Sequence, residues 1–292
     1  MAKYNRYIKT ALFFIIPQLV VTVLFFILPA CSAVMQSLFF SDAFGLHRRF
    51  AGLGHFIDLW QSPDYILAAL ITAIMAVSVT MLTMGFGLGL AVLVNGRNKS
   101  QRVYKSLLLW PYAIAPAVAA ILWRFLCHPT LGWMTTVLRW IGMDFNYLVH
   151  AKQALLVVII TASWQQFSYN FLFFFAAINM IPRPLIDAAI IDGASPWRRF
   201  WQIVFPLISP TTFFLLIMNL IYSFFDTFGI IHVMTNGGPG NSTTTLIYKV
   251  YKDGFVGMDP GSSSAQSVIL MFVVVGLTLL QFHYLEKKVH YE

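Results

Sequence analysis

Six long apolar stretches, near residues 11–35, 66–94, 106–126, 153–181, 209–233 and 265–285, constrain this chain more than any other feature. A helix needs about 18 to 20 apolar residues to cross the roughly 30 Å of a bilayer's hydrocarbon core, and each stretch meets that length. A soluble chain cannot hide six such blocks from water. Only 10% of the 292 residues are charged and 59% are hydrophobic, well outside the balance of an ordinary soluble domain. The expectation is therefore an all-α integral membrane protein with six transmembrane helices. Its third stretch is interrupted by Pro111 and Pro116 and closed by Arg124, which neighbouring helices can tolerate.

The net charge of +8 is explained by placement. Of the 19 basic residues, twelve fall on one side of the expected membrane: Lys3, Arg6, Lys9, Arg97, Lys99, Arg102, Lys105, Arg183, Arg198, Arg199, Lys287 and Lys288. The other side holds Arg48, Arg49, Arg124, Arg139, Lys152, Lys249 and Lys252, together with Asp42, Asp58, Asp64, Asp144, Asp253 and Asp259. The positive-inside rule then makes both termini cytoplasmic, with residues 1–10 as a short cytoplasmic segment and 11–292 as one membrane domain. Dispersed basic residues of this kind argue against nucleic acid as a partner. The first stretch ends Leu28-Pro29-Ala30-Cys31, like a lipoprotein cleavage box, but the apolar run from Ala11 exceeds the roughly 7 to 15 residues of a signal segment, so a retained span is expected.

Catalytic signatures are missing from the sequence. It has no HExxH, no GxSxG and no phosphate-binding GxxxxGK, and its two cysteines and seven scattered histidines form no metal-ligand spacing. Gly85, Gly87 and Gly89 superficially suggest a nucleotide loop. They lie within an apolar stretch, and the spacing of Gly85 and Gly89 is that of close helix packing.

The loop at 182–208 is mostly apolar, yet too short and too charged to span. Its punctuation predicts two short helices. Pro184 suits a first turn, Gly193 a reversal, Ser195 and Pro196 the start of a second helix, and Pro206 its end. Such a loop needs a cover, either lipid headgroups or a soluble partner. Polar side chains also recur inside two stretches. Asn219, Tyr222, Ser223 and Asp226 follow i, i+3, i+4, i+7 spacing, which predicts one helical face, and Gln165, Gln166, Tyr169 and Asn170 crowd another helix. Two readings stand for both clusters: a lining for a polar cargo, or hydrogen bonding between helices. A bare Asp226 would repel an anion, so pairing with Arg124, or a place off the path, is expected.

Asp187-Ala188-Ala189, Asp192-Gly193-Ala194, Phe200, Ile203, Pro206 and Pro210 resemble the EAAxxDGA–FxxIxxPxxxP loop of bacterial ABC importer permeases. Asp187 replaces the family's usual glutamate, keeping the charge and shortening the reach. The run Thr235-Asn236-Gly237-Gly238-Pro239 is similar to the TxGGP outer loop of the sugar-type permeases related to the maltose system. Three runs, LLLWPYAIAPAVAAILW (107–123), SWQQFSYNFLFFFAA (163–177) and TTTLIYKVYKDGF (243–255), resemble the polyol-phosphate branch of that group.

This resemblance implies a type I ABC importer transmembrane domain in the bacterial inner membrane. It implies a glycerol-3-phosphate cargo, with glycerophosphodiesters beside it, the alternative being another sugar or oligosaccharide. It further implies a coupling loop formed by Asp187, Ala188, Ala189, Asp192, Gly193, Ala194, Arg198, Arg199 and Phe200. The implied partners are a second homologous permease, two copies of an ABC ATPase, a periplasmic substrate-binding protein and membrane lipid. No cofactor is expected on this chain, with ATP and Mg bound by the ATPase subunits. The rival reading is a lone ion-coupled carrier with Asp226 as its titrating group.

Overall fold

In a computed structural model, residues 13–41, 48–95 and 101–285 are described, and helices dominate them. Lys3, Arg6, Lys9, Asp42, Arg97, Lys99, Lys287 and Lys288 lie outside the described residues, as do residues 1–10 as a whole. The chain divides into two compact units, one made of residues up to Ser62 with Val250–Phe272, the other of Pro63–Lys249 with the residues from Val273 onward.

The first unit contains helix α1 (Phe13–Gln36), whose central π turn at Val23–Ile27 precedes Pro29. No residue of its most apolar window is buried. A short hairpin of β1 (Phe39–Ser41) and β2 (Arg48–Phe50) comes next, the one departure from an all-helical fold among the described residues. Its antiparallel register pairs Phe39 with Phe50. Helix α2 (Gly54–Gln61) buries His55, whose Nε2 lies 3.1 Å from the Phe39 carbonyl oxygen. Gly261 leaves room for that imidazole, since a methyl there would stand 2.5 Å from Nε2.

The second unit is built around α3 (Pro63–Asn95) and α7 (Ala151–Met180), 33 and 30 residues long. Between them come α4 (Gln101–Leu109), a 3-10 turn at Trp110–Ala113, α5 (Pro116–Leu126) and α6 (Trp133–Trp140). After α7 come α8 (Arg183–Ile191), α9 (Pro196–Leu207), α10 (Ser209–Asp226), α11 (Phe228–Met234) and α12 (Leu246–Tyr251). The last helix is α13 (Pro260–Leu285). Phe171, Phe174, Phe175 and Ile178 of α7 pack with Ala91 and Val94 of α3 and Leu215 of α10 in one apolar cluster.

Two sequence expectations are corrected. Gly87 makes the close approach between α3 and α7, not Gly85 and Gly89. A methyl on Gly87 would lie 2.6 Å from Asn170 Cβ and 2.9 Å from the Phe171 nitrogen, whereas nothing stands within 4 Å at Gly85 or Gly89. The reason is helical phase: Gly87 shares a face with buried Thr80, Thr83, Ala91 and Val94, and the other two point away from it. The third apolar stretch is also not one straight helix. Tyr104–Ala113 and Pro116–Leu126 meet at 101°. Pro116 forces Ala115 into an extended conformation (φ −60°, ψ 143°), and Ile114 is extended too. With 9 and 11 residues, α4 and α5 measure about 14 and 17 Å, each short of a bilayer.

Helices α1, α3 and α13 are long and apolar enough to cross a membrane alone. Three bent helix pairs are apolar enough together, and the number reaches six if each pair is one span.

Candidate functional site

The break between α4 and α5 leaves backbone polar groups that a continuous helix would have satisfied. Gln165 of α7 answers one of them, its Nε2 donating to the Ile114 carbonyl at 2.6 Å. The other end of the same amide accepts from the Tyr222 hydroxyl at 3.3 Å, and that hydroxyl also lies 3.3 Å from the Ala162 carbonyl. One side chain thus ties the break, α7 and α10 together. In front of it lies a cavity of about 470 Å³, walled by Tyr112 to Pro116 from the break, by Gln165, Gln166 and Tyr169 from α7, and by Met218, Ile221, Tyr222 and Asp226 from α10.

The two polar clusters are divided between this cavity and the packing core. Gln165, Gln166, Tyr169, Tyr222 and Asp226 line the cavity; Asn170, Asn219 and Ser223 do not. Asn219 Nδ2 donates to Asn170 Oδ1 at 2.7 Å, Asn170 Nδ2 returns a bond to Asn219 Oδ1 at 3.0 Å, and Thr83 Oγ1 donates to the same oxygen at 3.1 Å. All three residues are fully buried, and this amide pair clamps α3, α7 and α10 at one level. Ser223 Oγ donates back to the Asn219 carbonyl at 2.8 Å.

The expected common face of Asn219, Tyr222, Ser223 and Asp226 is therefore corrected. A π turn at Tyr222–Asp226 adds residues to the turn and rotates the helix beyond it, so Asp226 is exposed at the cavity while Asn219 and Ser223 are buried. The expected pairing of Asp226 with Arg124 is corrected as well. Arg124 Nη1 donates to the Val233 carbonyl at 3.1 Å, satisfying an acceptor of α11 near its C-terminus, and Asp226 has no ion-pair or hydrogen-bond partner among the described residues. Tyr112 and the wall from Ala113 to Ala115 are site elements that the sequence reading misses. Pro111 and Pro116 carry the signal for them, since two prolines so close together can break a span outright as well as interrupt it.

The loop after α7 folds into the two helices its punctuation predicts. Pro184 occupies the first turn of α8, and the helix closes on Gly193 at φ +75°. The Ala194 amide reaches back to the Ala189 carbonyl at 2.9 Å and the Gly193 amide to Ile190 at 3.0 Å, the paired bonds of a left-handed helix stop. Asp192 is the residue at that cap. Ser195 then caps α9, its Oγ accepting from the Arg198 amide at 3.3 Å, with Pro196 in the first turn.

Pro206 does not end α9 as expected. A π turn at Phe200–Val204 sends the Phe205 amide to the Phe200 carbonyl, and this wider turn accommodates the proline ring, so the helix runs on to Leu207. The bends at the two ends of the loop are both 70°. Arg198 Nε donates to Gln202 at 2.8 Å, while Asp187, Arg183, Arg199 and Phe200 line a second cavity of about 550 Å³ with Asn95 and Asn179. Ile191 and Trp197 remain 86% and 73% exposed on this loop.

Residues 83–291 match the family model described as the inner membrane component of binding-protein-dependent transport systems. The chain belongs to this family. It is the helical permease component of an ABC importer, residing in the inner membrane. The sn-glycerol-3-phosphate transport system permease protein UgpA of Brucella abortus biovar 1 (strain 9-941) is 50% identical to this permease over 279 residues, 96% of this chain and 95% of the relative. The proteins of the same name from Rhizobium meliloti (strain 1021) and Yersinia pestis are 48% and 49% identical, covering 94% and 95% of this chain and 94% of each relative. Among solved structures, a bacterial ABC transporter that imports the acidic polysaccharide alginate superposes at a TM-score of 0.84, with 21% identity, over 98% of this chain and 99% of that one. The alginate transporter in complex with its alginate pentasaccharide-bound periplasmic protein also gives 0.84 at 21% identity, over 97% of this permease and 96% of that chain.

The permease therefore has the fold of an ABC importer transmembrane domain, and its relatives are permease subunits. The run from Thr235 to Tyr248 is held as a knot of hydrogen bonds: Thr235 Oγ1 and Thr243 Oγ1 lie 2.7 Å apart, and Thr243 Oγ1 donates to the Gly238 carbonyl at 3.0 Å. Gly237 sits at φ +81° with Thr244 Oγ1 2.6 Å from where a methyl would be, so no other residue fits that turn.

Proposed function

We propose that this permease forms half of a translocation path for sn-glycerol-3-phosphate. The observation that carries the reading is the near-complete, roughly half-identical match to permeases named for that transport. The polar cavity supports it, because a polyol ester shedding water needs replacement hydrogen bonds. In this reading a second homologous permease completes the path, two ATPase copies bind ATP and Mg and hydrolyse the nucleotide, and a periplasmic binding protein delivers cargo. This chain carries no catalysis of its own. Six crossings with cytoplasmic termini make residues 11–292 one membrane domain, and the loop at 182–208 faces the ATPase.

Helix α1, with its apolar surface bare, supports a partner or lipid along its length. In the coupling loop, Asp187, Ala188, Ala189, Asp192, Gly193, Ala194 and Phe200 form the seat for the ATPase, with Arg198 and Arg199 beside it. Closure of the ATPases then tilts α7 and α10 through the two bends, opening the cavity alternately to each side.

The experiment is uptake into proteoliposomes holding the permease with its partners. Labelled glycerol-3-phosphate should accumulate only with ATP on the ATPase side and binding protein on the other; uptake without an ATPase would sink the reading in favour of a lone carrier. Gly193→Val adds a side chain into open space, since nothing stands within 4 Å of its site, while straining the left-handed turn. It should lower uptake at least fivefold in complexes that still assemble. Undiminished uptake would remove the loop from the coupling role.

A further inference from the structure

The cavity's polar groups differ in whether they are already used. Gln165 and Tyr222 are committed to the helix break and to each other. Gln166 is 6% exposed, lines the cavity, and its side-chain amide has no partner among the described residues. Asp226 is exposed and likewise unpartnered, and so are the hydroxyls of Tyr112 and Tyr169, whose rings lie 5.4 Å apart. The available set is thus one carboxylate, one amide and two phenols.

A phosphate carries close to two negative charges near neutral pH and is held in proteins by cations or by converging amide N–H groups. No lysine, arginine or histidine lines this cavity, and its one charged group has the wrong sign. A phosphate beside the Asp226 carboxylate is repelled by like charge. Hydroxyls have the opposite preference. A hydroxyl donates to a carboxylate in a charge-assisted hydrogen bond, and phenol and amide donors can serve the hydroxyl oxygen's lone pairs.

We propose that this chain's half of the cavity binds the hydroxyl-bearing end of the cargo through Asp226, Gln166, Tyr112 and Tyr169, and that the phosphate is held by the partner permease. The inference rests on the polyol-phosphate reading above and deepens it. The two halves of the path then differ in charge, and the cargo crosses in a fixed orientation. Selectivity against inorganic phosphate arises on this chain, because the free ion has no neutral hydroxyl-bearing end and brings its own negative charge against Asp226.

The test uses the assembled complex in detergent without nucleotide, with Cys31→Ser and Cys127→Ala removing the native thiols and Met218→Cys placing a reporter in the cavity wall. Alkylation of the reporter is followed against glycerol, inorganic phosphate and glycerol-3-phosphate. Glycerol and glycerol-3-phosphate should protect, with glycerol half-protecting at a concentration at least tenfold below that of inorganic phosphate. Adding Asp226→Asn should raise the half-protecting concentration of glycerol at least tenfold, and Tyr169→Phe, which keeps the ring, should raise it at least threefold. Equal or better protection by inorganic phosphate, protection by neither probe, or protection by glycerol that survives Asp226→Asn would overturn the proposal. Failure of the broader reading is separate, since it would appear as absent ATP-driven uptake by the unaltered complex.

Discussion

Asn219 has no exposed surface, and both polar atoms of its amide are committed: Nδ2 to Asn170 Oδ1 and the Leu215 carbonyl, each at 2.7 Å, and Oδ1 to Asn170 and Thr83. Removing it strands the Asn170 side-chain oxygen in an apolar interior, while the Thr83 hydroxyl keeps the Val79 carbonyl at 2.8 Å and Asn170 Nδ2 keeps the Gln166 carbonyl at 3.1 Å. Asn219→Ala should cost about 1–2 kcal/mol, read as a lower melting temperature of the purified complex. Asn170→Leu combined with Asn219→Leu should cost less than the two single changes added together, because neither partner is left waiting. Strict additivity would mean the pair is not coupled. Burial sets a second residue apart, pushing the Cys127 thiol up to about 11. A raised value keeps the unreactive protonated form through neutral pH, so about one thiol in a thousand is ionised at pH 8. Alkylation of Cys127, followed by mass spectrometry, should climb roughly tenfold per pH unit toward pH 11; a plateau near pH 8.5 would contradict the burial argument.

At the scale of elements, α3 and α7 meet through one glycine. Gly87→Ala must displace Asn170 Cβ or the backbone of Phe171, at a cost of about 1–3 kcal/mol, while Gly85→Ala meets nothing and should be neutral. Comparing the two melting temperatures checks the contact, and equal shifts would refute it. The sequence carries the glycine string but not its phase, because three glycines at alternate positions point three ways and only the packed neighbour selects one. The two-helix loop is legible nearly residue by residue. Pro184, Gly193, Ser195 and Pro196 each act through their own backbone chemistry, which needs no tertiary information. Pro206 misleads for the complementary reason: a proline's effect depends on the turn preceding it, and the π turn at Phe200–Val204 has no local signature. The same is true at Tyr222–Asp226, where counting by 3.6 residues assigns four side chains to one face and the wider turn separates them.

For the whole molecule, apolar length and charge bias make the membrane class legible, since both are sums over many residues and tolerate local error. The cavity is less so. Its polar residues are visible in α7 and α10, but which of them face a cavity and which face a neighbouring helix depends on contacts between residues some 50 positions apart, as in the Asn170–Asn219 pair. Orientation has a direct test. Ile191 and Trp140 are 86% and 85% exposed, at opposite ends of the expected topology. A cysteine at 140 should react with a membrane-impermeant maleimide from outside intact cells, and one at 191 only in inverted vesicles. The reverse pattern would invert the assignment.

The bend of 101° between Tyr104–Ala113 and Pro116–Leu126 brings the turn at Ala113 to Pro116, with Ile114 and Ala115 extended, to one wall of the cavity. The path of that turn is held by Pro116, which keeps Ala115 extended, and by the Gln165 bond to the Ile114 carbonyl. A laboratory selection for altered cargo should therefore collect its changes at Gln166, Tyr169, Met218, Ile221 and Asp226, and leave Ile114 to Pro116 as a fixed wall against which each new specificity is cut.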